Sequence, residues 1–311
     1  MWLGIVKGAL LLVAPLYSAS FGAFLAETRK AHNCSINCNL TLKKTVGERM
    51  YTSDDYIAVF DSGVGGISVL RQLQKLMPQE RFVYFGDSAN APYGSRPTEE
   101  VRSLTLAAAK KLTTEYPVKA LVVACNTATA AAIGLLRSTY PDLIVVGIEP
   151  ALKLAADSFP GGRLGVLATE VTLREEKFDA LLNRFKRECT VYKIPAPGVA
   201  NLIEQGKNDS PEMLALLHSL LDPYAGKLDA LVLGCTHYPF VTRKIAAIMG
   251  PDTKLLHGGK GTARETRRRL EKAGLLRQGE GSITIVNSSP DPNMIRLSQS
   301  LLRDGKPSFE A

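Results

Sequence analysis

The sequence predicts an α/β protein of two similar domains, each a mostly parallel sheet flanked by helices. A pseudo-twofold axis is expected to relate them, with a cleft between. Three observations carry this reading. Strand and helix patterns alternate from residue 57 onward, the mark of βαβ units and parallel sheets. The segment Lys119-Ala-Leu-Val-Val-Ala-Cys125-Asn126-Thr127 is echoed 110 residues later by Asp229-Ala-Leu-Val-Leu-Gly-Cys235-Thr236-His237. Matching Ile57-Ala-Val-Phe-Asp-Ser62 to Leu164-Gly-Val-Leu-Ala-Thr169 gives an offset of 107, close enough to the first to imply duplication.

Taken in order, Ile57–Phe60 reads as the first strand. The turn Asp61-Ser-Gly-Val-Gly-Gly66 and a helix with Val69, Leu70, Leu73, Leu76 and Met77 on one face follow it. Arg81–Phe85 is the next strand, leading into the loop from Gly86 to Gly94. A helix over 98–115 precedes a strand at 119–124, and a helix over 128–138 leads to a strand ending at Gly147. The second set begins at Arg163–Leu167. It continues through helix 172–187, strand 189–194, helices near 198–205 and 211–225, strand 229–233, helix 240–248 and strand 254–256. Short apolar runs bounded by turn chemistry are the pattern of strands buried on both faces. A basic helix after residue 261 and a last strand, Ile283–Val286, are expected to pack back on the first domain. The domain reading is therefore 51–151 completed by 261–311, and 152–260.

A chain of 311 residues can fill one large domain or two ordinary ones. Its formal charge of +8 raises nucleic acid as a partner. Much of the excess, however, lies in the first fifty residues and in the run Arg264, Arg267, Arg268, Arg269, Lys272 and Arg277. With leucines at 270, 275 and 276, that run reads as a helix with a solvated basic face, and no nucleic-acid motif accompanies it. A net positive field favours an acidic small substrate. The five cysteines form no CxxC pair, and the four histidines show no metal-ligand spacing, so reduced thiols without a metal are expected.

Residues 1–50 read as an N-terminal extension. Met1–Ala26 is apolar and signal-like, with small residues at 18–23 suited to cleavage. Lys7 and Pro15 interrupt it, which argues against a stable membrane anchor. A poorly ordered extension, or a start at Met50, are the competing readings. Cytoplasmic location is expected, with export as the minor alternative.

The residues themselves suggest a chemistry. Both Cys125 and Cys235 would emerge at the C-terminal ends of strands, where open α/β sheets place ligands. One thiol per half can address opposite sides of a small molecule, removing a proton from one face of a carbon and returning one to the other. A helix N-terminus just beyond each sulfur is expected to lower its pKa. His237 lies close enough in sequence to serve Cys235. Asp61 and Ser62 occupy the first strand tip, where Asp61 is either a helix cap or the proton-handling partner of a thiol. The glycine-rich turn lacks nucleotide-loop spacing, and its N–H groups are expected to hold a substrate carboxylate. Cys189, opening a strand with no polar cluster after it, reads as core filler.

The series Asp61-Ser-Gly-Val-Gly-Gly, Tyr84-Phe-Gly-Asp87, Pro92-Tyr93-Gly94, Val123-Ala-Cys125-Asn126-Thr127-Ala128 and Gly234-Cys235-Thr236-His237-Tyr238-Pro239 resembles the motifs of glutamate racemase. That family belongs to the cofactor-independent aspartate/glutamate racemase superfamily. The match runs over about residues 57–300, in order. It implies interconversion of L- and D-glutamate to supply peptidoglycan synthesis, with no cofactor. The resemblance makes Cys125 and Cys235 the acid/base thiols, with Asp61 assisting the first and His237 and Glu204 the second. It assigns substrate contacts to Asp61, Ser62, Pro92, Tyr93, Gly94, Asn126, Thr127, Thr169, Thr172, Thr236 and His237. Family members are often homodimers.

Three departures stand out: Ala168-Thr169 where the family has Gly-Thr, Pro195-Ala-Pro197 near a common cysteine position, and His257 in place of an acid. Racemisation of aspartate or another amino acid is the neighbouring alternative. A Cys-His hydrolase using Cys235 and His237, and a lobed protein that binds an acidic ligand without turnover, are the others.

Overall fold

The computed structural model describes residues 45–46, 49–148 and 151–304, apart from 175–179, 181, 184, 186 and 187. The signal-like segment lies outside the described residues, as does most of the helix expected over 172–187.

A two-residue antiparallel hairpin, β1 (Thr45–Val46) and β2 (Arg49–Met50), precedes the first sheet. That sheet contains β3 (Tyr56–Asp61), β4 (Arg81–Gly86), β5 (Val118–Val123) and β6 (Ile144–Gly147). The second contains β7 (Arg163–Ala168), β8 (Thr190–Pro195), β9 (Ala230–Leu233) and β10 (Lys254–His257). A late strand, β11 (Ser282–Asn287), pairs with β4 and so returns the chain to the first sheet. Every pairing within the two sheets is parallel.

The orders are β11-β4-β3-β5-β6 and β10-β9-β7-β8. Leaving β11 aside, both sheets place their strands second, first, third, fourth. The duplication inferred from two sequence offsets is thus a duplication of topology. In this order the chain leaves the first strand to one side and crosses back to lay the third on the other. Loops after the first and third strands diverge there and leave a crevice at the strands' C-terminal ends. In the first sheet those positions are Asp61 and Cys125; in the second they are Thr169 and Cys235.

Burial explains which strands were legible. All six residues of β5 are buried, as are five of six in β3, β4 and β7, because helices cover both faces. Edge strand β8 has only Ile194 buried. Helix Ile67–Leu76 packs against the basic helix Gly259–Lys272, whose buried residues include Thr262, Ala263, Thr266 and Leu270 while Arg264, Arg267 and Arg268 face solvent. Ser210 caps helix Pro211–Leu221 by accepting from Met213 N–H at 3.1 Å.

Some boundaries differ from expectation. The helix expected to reach 225 ends at Leu221 and tightens into a 3₁₀ turn, Asp222–Tyr224, around Pro223. The one expected from 240 begins as a 3₁₀ turn, Tyr238–Val241, and becomes α-helical at Thr242. Two helices, Leu152–Ser158 and Pro292–Asp304, were not anticipated. Among the described residues no helix is long and apolar enough to cross a membrane.

Candidate active site

Cys125 caps helix Asn126–Thr139: its sulfur accepts the Ala128 N–H at 3.4 Å and contacts Ser62 Oγ at 3.5 Å. Those contacts favour a thiolate, yet the thiol is pushed up to about 12, first by burial and then by the neighbouring Asp61. This corrects the expectation of a lowered pKa: one helix N–H does not offset desolvation plus a like charge. Cys235 is close enough to Cys125 for its charge to add to the effect. Asp61 is fully buried and its carboxyl is also raised, mainly by burial. Its Oδ2 accepts Gly63 N–H at 3.2 Å and its Oδ1 accepts the Thr236 hydroxyl at 3.1 Å.

At Cys235 the local structure is different. No α-helix starts at the next residue; the 3₁₀ turn Tyr238–Val241 intervenes. The sulfur instead faces His237 Nδ1 at 3.5 Å, and His237 Nε2 lies 2.6 Å from Glu204 Oε1. That oxygen also accepts Val64 N–H at 2.6 Å, so it is an acceptor, and Nε2 must carry the hydrogen toward it. Nδ1 is thereby left for the Cys235 proton. Burial alone would lower the His237 pKa, but the Cys235 sulfur and the Glu204 carboxylate hold it well above 6.5.

The glycine-rich turn holds a carboxylate, but it belongs to the chain. Two of the N–H groups expected to hold a substrate carboxylate are already used, Val64 N–H by Glu204 and Gly63 N–H by Asp61. The glycines are what make this approach feasible. A Cβ at Gly63 would lie 1.8 Å from Glu204 Oε1, and one at Gly65 would lie 2.4 Å from His237 Nδ1. Neither is needed for an unusual backbone angle; each makes room for a side chain of the second half.

On the other flank, three hydroxyls meet. Thr127 Oγ1 lies 3.0 Å from Thr169 Oγ1 and 3.3 Å from Thr172 Oγ1, and those two are 3.0 Å apart. A Cβ at Gly94 would sit 2.7 Å from Thr169 Cβ, so the loop after the cis Ala91–Pro92 bond closes against this cluster. The Tyr93 hydroxyl donates to Asp87 at 2.6 Å rather than into the crevice. Asn126 Oδ1 is buried and has no hydrogen-bond partner, an orphan acceptor beside Cys125.

Sequence reasoning thus named residues that the fold gathers at two strand-tip crevices. It missed Ser68, whose hydroxyl donates to the Thr236 carbonyl at 2.8 Å, and Tyr84, Ser88 and Asn287 behind Glu204. Of the departures, Ala168 is buried with Gly234 opposite, where a Cβ would lie 2.9 Å from Ala168 Cβ. His257 Nδ1 accepts Gly259 N–H at 3.3 Å, and its pKa is lowered by burial and Lys260. Cys189 is buried and its thiol donates to the Phe159 carbonyl at 3.4 Å. Among the described residues no group of three or more His, Cys, Asp or Glu side chains is disposed to hold a metal ion.

Comparison with known proteins fits this geometry. Residues 67–266 match the Asp/Glu/hydantoin racemase family. A glutamate racemase of Clostridium botulinum is 44% identical over 249 residues, spanning 79% of this chain and 96% of that one. The crystal structure of the Thermus thermophilus glutamate racemase in complex with β-chloro-D-alanine aligns with a TM-score of 0.68 at 35% identity, over 80% of this chain and 94% of its own. The Escherichia coli glutamate racemase, in complex with L-glutamate and the activator UDP-MurNAc-ala, aligns at 0.73 and 29% identity, over 81% and 95%. Fold, motifs and relatives agree that the chain belongs to the Asp/Glu/hydantoin racemase family, on its glutamate racemase branch, and is an isomerase.

Proposed function

We propose that this racemase interconverts L- and D-glutamate by a two-base transfer at Cα between Cys125 and Cys235, and supplies D-glutamate for peptidoglycan. The observation that carries the reading is the equivalence of the two thiols. Each follows the third strand of its sheet; Cys125 stands within electrostatic reach of Asp61, and Cys235 faces the His237–Glu204 pair.

One thiolate removes the α-proton while the thiol on the far face delivers another, and the cysteines exchange protonation states in each turnover. A thiol held near 12 is a donor at neutral pH, and once deprotonated it is a strong base suited to a weakly acidic C–H. Asp61 can take or return the proton of Cys125, and His237 that of Cys235. The developing carboxylate-stabilised carbanion needs fixed donors in a site closed to water. Thr127, Thr169 and Thr172 supply hydroxyls for the carboxylates, and Ser62 and Thr236 sit beside the thiols. The partnerless Asn126 Oδ1 suits the substrate ammonium. This chemistry calls on no cofactor and no metal.

The same reading includes a cytoplasmic enzyme of two α/β domains, 51–151 with 261–311 and 152–260, with homodimerisation open to sedimentation analysis. Circular dichroism of the purified protein with L-glutamate and no added cofactor tests the activity. Decay of the signal to zero is expected. No change with L-glutamate, alongside α-proton exchange in D₂O with another amino acid, would move the substrate assignment elsewhere.

A further inference from the structure

Glu204 belongs to the second half of the chain, yet everything that fixes its carboxylate apart from His237 comes from the first sheet and its loops. The Gly63–Val64 peptide is held at both ends. Its N–H donates to Glu204 Oε1 at 2.6 Å, and its C=O accepts the Tyr84 hydroxyl at 2.5 Å. Tyr84 is fully buried on β4, directly beneath the turn. A glycine at 63 lets this peptide rotate cheaply, so its plane requires an external anchor. The Tyr84 hydroxyl is that anchor, and donation to the carbonyl also polarises the N–H at the other end.

The second oxygen is held by another chain of donors. Ser88 Oγ donates to Glu204 Oε2 at 3.3 Å and itself accepts from Asn287 Nδ2 at 2.9 Å. Asn287 ends β11, so the late strand that closes the first sheet delivers its tip to this point. The Asn287 Oδ1 is occupied by Ser289 N–H at 2.8 Å, which sets the direction of the amide and leaves its N–H₂ toward Ser88.

We propose that Tyr84 and Asn287, acting through the 63–64 peptide and through Ser88, are positioning residues for the Cys235 half of the reaction. They orient Glu204, which fixes the His237 tautomer that serves Cys235. Asn287 reaches the Glu204 side alone, whereas Tyr84 also stands within electrostatic reach of Asp61 and Cys125, so the asymmetry is sharpest at Asn287. The inference rests on the two-base reading above and adds an asymmetry to it: the second-half thiol is tuned from the first-half sheet.

A racemase has an equilibrium constant of one, so both directions must share one kcat/KM, and the asymmetry has to be read from isotope effects. The test compares Tyr84→Phe and Asn287→Ala with the wild type, using [2-²H]-L- and [2-²H]-D-glutamate. The expected result is a fall in kcat/KM of about tenfold for each variant, the scale of one lost orienting hydrogen bond. In Asn287→Ala the isotope effect should rise in the direction where Cys235 is the base and fall in the other, and Tyr84→Phe should show the same asymmetry to a smaller degree. A uniform loss with equal isotope effects, or wild-type behaviour in both variants, overturns the proposal. Should Tyr84→Phe not fold, Asn287→Ala decides alone. Wild-type racemisation abolished by Cys235→Ser, with both variants unaffected, would sink this inference while leaving the two-base mechanism intact.

Discussion

Strand β5 has a buried polar cluster at each end, and the two are built on opposite rules. At its start, Lys119 is wholly buried and its ammonium donates to Glu80 Oε2 at 2.6 Å, to the Ser53 carbonyl at 2.6 Å and to the Leu275 carbonyl at 2.9 Å. Glu80 Oε1 accepts Arg277 N–H at 3.0 Å. Charges are opposite and all three ammonium hydrogens are used, so the cluster ties the first sheet to the chain on either side of it. Just beyond the other end, Cys125 and Asp61 are groups of like charge when ionised, each raised by burial, and Asn126 has an unpartnered oxygen. Burial is shared; satisfaction is not. A buried polar group that is fully paired holds the fold, whereas buried groups that disfavour one another keep free energy in reserve for a ligand or a proton.

The largest effect that tests this contrast is at the crevice end. Cys125→Ser and Cys235→Ser should each lower the racemisation rate at least about 10³-fold with little change in melting temperature, since acid–base groups of this kind contribute on that scale. Full activity in either variant would erase the distinction between the two ends. Lys119→Met should do the reverse, costing about 3–5 kcal/mol of stability because Glu80 is left buried and unpaired, while turnover per folded molecule is unchanged. Denaturant unfolding beside a rate assay separates the two. Adding Glu80→Leu to that variant should restore much of the loss.

A smaller effect concerns how the halves meet. Gly63→Ala places a Cβ where Glu204 Oε1 now sits, so kcat should fall about 10²-fold as the His237 support is displaced. A wild-type kcat would mean that Glu204 has no part in turnover. Next comes a pH dependence. Because the folded state holds His237 well above its ordinary 6.5, its stabilising contribution is complete below 6.5 and is lost as pH rises through the folded value. His237→Asn should flatten that part of the alkaline fall in melting temperature; an unchanged slope would count against the raised value.

The smallest effect lies on the surface. Glu265 is lowered to about 2, chiefly by its hydrogen bond to Arg268. Its contribution is present above its ordinary 4.5 and lost as pH falls toward 2. Glu265→Gln should cost no more than about 0.5 kcal/mol at pH 7, because solvent screens an exposed pair, and nothing measurable at pH 2. Melting curves at the two pH values check this.

Legibility in the sequence followed the same physics. The runs at β3, β5, β7 and β9 are continuous and apolar because both their faces are covered, and each stands out against turn residues on either side. Helix Leu152–Ser158 is only seven residues long, too short to establish a period. Pro292–Asp304 carries Met294, Leu297 and Leu301 at helical spacing, but it follows a Ser-Ser-Pro-Asp-Pro stretch that reads as a loop. Cys125 and Cys235 could be found because they repeat. Tyr84 lay in plain view within Tyr84-Phe-Gly-Asp87, yet nothing local says what its hydroxyl meets. Asn287 is 199 residues from Ser88 and offers no signal of its own.

Residue order by itself determined which strands are buried, the doubling of the fold, and the two thiols at the strand tips, because periodicity, turn chemistry and repetition are properties of neighbours along a chain. Tertiary structure alone decided the acid–base character of those thiols. It placed Asp61 beside one and the His237–Glu204 pair beside the other, turned the Val64 N–H of the glycine turn onto Glu204, and brought β11 round to brace it. Desolvation and pairing depend on what arrives from far along the sequence, and no local pattern encodes that arrival.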